Sequence, residues 1–180
     1  MKKIFTPRFI FITTAILIAA ASRLFPHIPN FTPIAAIALF GAASFNDKRL
    51  AFIMPLAAMI ISDIAMEFAY GWGFHNTIAY VYTAFVLTSI IGLYVRSNTT
   101  VATVLAGSVI SSILFFIITN FGVWAASGGL GGAAGLGATY VLGIPFFAPT
   151  ALGDLFFNTI LFGSLYLAQS RIPALVKVKS

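Results

Sequence analysis

Along the chain, uncharged apolar stretches alternate with short clusters that hold nearly all the charge and much of the proline. A helix that crosses a bilayer needs roughly 20 apolar residues, with about 17 to 25 usual. Six stretches come near that length, at residues 9–25, 33–45, 50–66, 77–95, 101–126 and 150–168. Pro26 and Pro29, then Asp47-Lys48-Arg49, then Arg96-Ser97-Asn98-Thr99-Thr100, then a glycine-rich connection over 127–143 separate them. The second stretch is short for a span and reads as tilted or partly re-entrant, with Thr32 as its cap and Pro33 at its first helical position. The third contains Pro55 and, near its far end, Asp63. The fifth is long enough to cross with a tilt. No ten-residue alternation marks a membrane strand, and no repeat of about 20 to 50 residues marks an inverted-repeat transporter.

Charge tests the span count independently, because cytoplasmic loops collect Lys and Arg. Six spans with both termini cytoplasmic place Lys2, Lys3, Arg8, Lys48, Arg49, Arg96, Arg171, Lys177 and Lys179 on one side and only Arg23 on the other. One missed helix would scramble every later loop. Lys2 and Lys3 ahead of an apolar run ending in Ala19-Ala20-Ala21-Ser22 also fit a cleaved signal peptide, but a first spanning helix shows the same features. The expectation is an all-α membrane protein, a six-transmembrane-helix bundle forming one integral membrane domain over residues 1–180.

Composition agrees. Of the 180 residues 60% are hydrophobic and 8% charged, where a soluble domain carries about 25% charged residues; the mean hydropathy is +1.02. The formal charge of +6 does not point to nucleic acid, because the basic residues lie scattered over loops and termini. The absence of cysteine excludes disulfides, thiolate metal sites and a cysteine nucleophile.

Ionisable groups in spans are costly and therefore functional candidates. In this topology they share the outer end. Arg23 ends the first span, Asp63 and Glu67 the third, and Asn120 and Trp124 the fifth, while Asp154 starts the sixth. Outer loops add His27, Asn30, Tyr70, Trp72, His75, Asn76 and Tyr140. Plainer roles compete: Trp72 suits an interface anchor, Arg23 and Asp154 suit a structural ion pair, Glu67 a solvated loop residue, and the histidines ordinary loop positions. Independent anchors would populate both interfaces, however, and these groups converge on one. The expected solute contacts are Asn120, Asp154, Asp63 and Asn30 for polar groups, Arg23 for charge balance, and Trp124, Phe121 and Tyr140 for stacking on a ring. The stiff first loop, Phe25-Pro26-His27-Ile28-Pro29-Asn30-Phe31, and the flexible glycine-rich fifth loop read as covers of a lidded cavity.

No catalytic spacing is complete. The chain lacks His-Glu-x-x-His, Gly-x-Ser-x-Gly and a phosphate loop, and it calls for no metal or cofactor. Gly153-Asp154 approaches the motif of intramembrane aspartyl proteases, with Asp63 as the partner such a dyad would need. An intramembrane hydrolase and a non-transporting structural or assembly protein are the rival readings.

Three segments carry a resemblance. They are Pro29-Asn30-Phe31-Thr32-Pro33 with the small-residue helix to Gly41, the run from Ser112 to Trp124 with Phe115-Phe116 and Thr119-Asn120-Phe121-Gly122, and the stretch holding Tyr140, Pro145-Phe146-Phe147, Gly153-Asp154 and Phe162-Gly163. Together they resemble a bacterial family of small membrane proteins classed as candidate transport proteins. That family is in turn similar to the substrate-binding S components of energy-coupling factor (ECF) vitamin transporters. The resemblance implies a scarce vitamin or precursor bound in the outer half, in the inner membrane of a bacterium. It also implies docking of the first helix onto a transmembrane coupling subunit with ATPases. Ala15-x-x-x-Ala19 supplies a small-residue face of the kind that lets helices approach.

Overall fold

The computed structural model describes residues 5–26, 28–132 and 135–176. Six α-helices follow one another: α1 (Pro7–Ala21), α2 (Ile34–Ser44), α3 (Lys48–Tyr70), α4 (Ile78–Val95), α5 (Val101–Ala126) and α6 (Leu136–Arg171). Short 3-10 turns occupy Ser22–Leu24, Gly129–Gly131 and Pro173–Leu175, and no strand occurs among the described residues. Counting α1 with the turn that extends it, five helices are long and apolar enough to cross a membrane; α2 is the shorter sixth.

Local chemistry sets the helix starts. The Thr6 hydroxyl accepts from the Phe9 N–H at the start of α1, and the Asp47 carboxylate accepts from Arg49 and Leu50 at the start of α3. At α5, Thr100 and Thr103 form a reciprocal capping box. These side chains satisfy donors that a helix leaves unpaired in its first turn. Gly71 ends α3 at φ 72°, a conformation that favours glycine.

Hydrogen bonds also define the two ends of the bundle. Arg8 at the start of α1 donates to the Ser44 carbonyl at the end of α2 and to the Leu175 carbonyl just beyond α6. Arg96, after α4, donates to the Asn46 carbonyl. The starts of α3 and α5 follow by tight turns, so Arg8, Lys48, Arg49, Arg96 and Arg171 share one end. Tyr70, on the last turn of α3, donates to the Leu24 carbonyl at the opposite end, near Arg23. Lys2, Lys3, Lys177, Lys179 and His27 lie outside the described residues.

The centre of the molecule is α2. Its residues from Ala35 to Ser44 are all buried, and it packs against each of the other five helices. A helix apolar on all faces has to be enclosed, and at 11 residues its length is about 16 Å, roughly half the thickness of a hydrocarbon core. Close approach depends on absent side chains: a Cβ on Gly41 would strike the Pro55 ring of α3, and one on Gly92 of α4 would lie 2.6 Å from the Leu39 carbonyl oxygen.

Three boundaries differ from the sequence reading. The last helix begins at Leu136 rather than 150, so residues 136–143 of the expected glycine-rich loop are helical and Pro145 and Pro149 lie inside α6. Away from water every backbone group needs an internal partner, which favours helix over loop despite glycine and proline. The third helix continues a turn beyond 66 to Tyr70, which makes Glu67 helical; its carboxylate accepts from the Phe74 N–H and ties the following loop back onto α3. Thr32 does not cap α2. Pro33 occupies the cap position with no side-chain hydrogen bond there, and the carboxylate that serves this helix comes from α6.

Candidate functional site

At the end opposite the arginine-rich one, a cavity of about 720 Å³ opens among the 3-10 turn, the first loop, α3, α4, α5 and α6. Its charged element is an ion pair. Arg23 Nη1 lies 2.7 Å from Asp63 Oδ1 and donates to Ser62 Oγ at 2.6 Å. The other carboxylate oxygen, Asp63 Oδ2, accepts from the Tyr82 hydroxyl at 2.6 Å. The sequence places these groups together because α3 carries Ser62 and Asp63 consecutively and the turn after α1 projects Arg23 onto α3. A buried pair of this kind stands only when further hydrogen bonds satisfy its remaining valences, and Ser62 and Tyr82 provide them.

Around the pair, the polar wall is completed by Asn30 and Thr32 of the first loop, Asn120 and Thr119 of α5, and Thr150 of α6. Asn30 has φ 63°, a left-handed conformation that asparagine tolerates better than most residues. Asn120 donates to the Phe116 carbonyl of its own helix at 2.8 Å and packs against Gly143 so closely that no Cβ would fit there. The apolar wall comes from Phe115 and Phe116 of α5, Phe146 of α6, and Met59 and Met66 of α3, with Trp72 in the loop after α3. His75 also lines the cavity, with its Nδ1 2.8 Å from the Thr77 hydroxyl. Among the described residues no group of three or more histidine, cysteine, aspartate or glutamate side chains could hold a metal.

Of the expected contacts, Arg23, Asp63, Asn120 and Asn30 meet in this cavity, and four others do not line it. Asp154 lies near the middle of α6 and is 1% exposed. Its carboxylate accepts from Ser112 Oγ at 2.7 Å and from the backbone N–H groups of Ala35 and Ala36. It therefore caps α2 from another helix, and Arg23 pairs with Asp63 instead. Tyr140 turns its hydroxyl to the Ile117 carbonyl at 2.7 Å and its ring to Phe116. Phe121 and Trp124 stack on each other, with Phe121 also against Tyr80. Tyr140 thereby joins α6 to α5, and Phe121 joins α5 to α4.

The expected glycine-rich cover is absent from the lining as well. Among the described residues of 127–135 none lines the cavity, which is bordered by the first loop, the loop after α3 and, from α6, Phe146 and Thr150. Sequence reading passed over Phe115, Phe116 and Phe146 as site residues; the four-residue spacing of Phe116 and Asn120, which sets them on one helix face, could have singled out Phe116. Asp63 and Asp154 form no dyad, each being engaged by a separate set of partners. Comparison with curated proteins and with solved structures gives no significant match for the chain. A family model does match, over residues 3–175. The chain accordingly belongs to the family described as a family of unknown function (DUF6580).

Proposed function

We propose that the protein captures a small organic solute, a vitamin or vitamin precursor, in the cavity around Arg23 and Asp63. The observation that carries this reading is the composition of one wall set: an ion pair and two amides facing phenylalanines across about 720 Å³. Ligand sites of about 300 to 1,000 Å³ are mostly apolar with a few fixed polar groups. The two charges neutralise each other, which favours a solute of low net charge with a planar apolar body. Asn30 and Asn120 would orient its polar groups, and the phenylalanines would cover its ring.

The resemblance to ECF S components extends the reading to uptake across a bacterial inner membrane, with the arginine-rich end cytoplasmic and the cavity facing outward. The chain carries no phosphate-loop motif, so energy would come from ATPases acting through a transmembrane coupling subunit. Ala15 and Ala19 border a groove between α1 and α6 where such a subunit would approach.

Mass spectrometry of small molecules co-purified with the protein, followed by melting with each compound added back, tests the reading. A stoichiometric solute that raises the melting temperature of wild type supports it. An empty protein that no vitamin-class compound stabilises would overturn it in favour of a structural role.

A further inference from the structure

A second cavity, of about 430 Å³, lies at the arginine-rich end between α5 and α6, closed above by the end of α2. Two guanidinium groups line it, Arg8 and Arg96, and none of the described lining residues is acidic. Arg8 is only 7% exposed. Its Nη1 and Nη2 donate to the Leu175 and Ser44 carbonyls at 2.7 and 2.8 Å, but its buried Nε has no partner. Arg96 gives one nitrogen to the Asn46 carbonyl and leaves its buried Nη1 unpaired. Two cations that border one cavity thus each keep a buried, unpaired N–H group. Thr100 and Val101 place the start of α5 there too, adding the positive end of a 26-residue helix. Asn158, 2% exposed, contributes an Oδ1 acceptor without a partner.

Apart from Ser44, Thr99, Thr159 and Gln169, the rest of the lining is apolar and leads outward. Val101, Leu105 and Tyr166 border the cavity and are exposed on the flank of α5 and α6, the surface that meets hydrocarbon in a membrane. An anion-seeking interior with an apolar mouth matches a molecule with a phosphate head and an acyl tail. Basic pockets between helices on the cytoplasmic side are suited to such headgroups. We propose that this cavity seats the phosphate of an anionic phospholipid, held by Arg8 Nε and Arg96 Nη1, with a headgroup hydroxyl donating to Asn158 Oδ1 and the tail leaving between α5 and α6.

Melting of the purified full-length protein in neutral detergent, titrated separately with phosphatidylglycerol, phosphatidylcholine and inorganic phosphate, tests this seat. Phosphatidylglycerol should raise the melting temperature saturably, with little effect of the other two. Because Arg8 ties three elements together and its loss would disturb folding, the informative variants are Arg96→Gln and Gly163→Leu. Gly163 borders the cavity and has open space where a Cβ would be, so a leucine there adds bulk at the seat while both arginines are retained. Each variant should weaken phosphatidylglycerol binding at least tenfold, and Gly163→Leu should melt like wild type without lipid. Equal stabilisation by phosphatidylcholine, unchanged response in both variants, or inorganic phosphate acting as well as the lipid would overturn the proposal.

Discussion

Asp63 and Asp154 are the two carboxylates buried within the helices, 2% and 1% exposed, yet their surroundings differ. Asp63 borders a cavity and shares its charge with Arg23. Asp154 borders none of the cavities described above and spends its acceptors on Ser112 and two backbone donors of α2. Burial of a charge within a membrane helix is a reason to suspect function. The identity of the partners decides which kind: a carboxylate satisfied by backbone holds the fold, whereas one beside open space remains near whatever enters it.

The sharpest test of this contrast removes Asp154. Asp154→Ala leaves two backbone N–H groups unpaired at about 1 to 3 kcal/mol each, while the Ser112 hydroxyl keeps the Ser108 carbonyl as its acceptor, so apo stability should fall by roughly 2 to 6 kcal/mol, read by melting in detergent. Asp154→Asn retains an acceptor and should fall less. A protein that melted normally with alanine there but lost its solute would reverse the roles assigned to the two carboxylates.

Breaking the other site comes next in size. Arg23→Met strands Asp63 as a buried unpaired charge, an effect of about 3 to 5 kcal/mol on apo melting, and the double variant Arg23→Met with Asp63→Leu should recover much of that loss. Solute-dependent stabilisation should not return in the double variant. Recovery of both together would make the pair purely structural.

The smallest effect belongs to Asn120, whose side-chain amide donates to a carbonyl of its own helix. Asn120→Ala should leave apo melting near wild type and weaken solute binding by about 1 to 3 kcal/mol if a ligand group pairs with the amide. Calorimetric titration with the solute identified by mass spectrometry measures it, and an unchanged affinity would remove Asn120 from the site.

Much of the architecture was readable from charge and apolar length, since each polar cluster stops a helix whatever the tertiary contacts. The starts of α3, α4 and α5 fell within two residues of their expected positions for that reason. The start of α6 did not, because Gly137, Gly143, Pro145 and Pro149 carry the local signature of a loop, and only the need to pair backbone groups away from water makes them helical. At the site, Arg23, Asp63, Asn30 and Asn120 stood out because polar residues are rare in this chain. Asp154 stood out equally, but the partners the structure gives it, Ser112 and backbone groups of α2, are ones that no sequence pattern marks. The phenylalanines of the wall were hidden for the opposite reason: the chain has 19 phenylalanines, and apart from its four-residue spacing from Asn120 nothing local separates Phe116 from one facing lipid.

The capping of α2 by Asp154 has a consequence for biosynthesis. A ribosome delivers α2 early and α6 last, so the donors at Ala35 and Ala36 have to wait for nearly all of the chain before their acceptor exists. Until then a segment too short to cross the bilayer lacks both its enclosing neighbours and its cap. The second helix to be made is among the last to be secured, and a product cut short before α6 would hold every residue of α2 without the means to keep it in place.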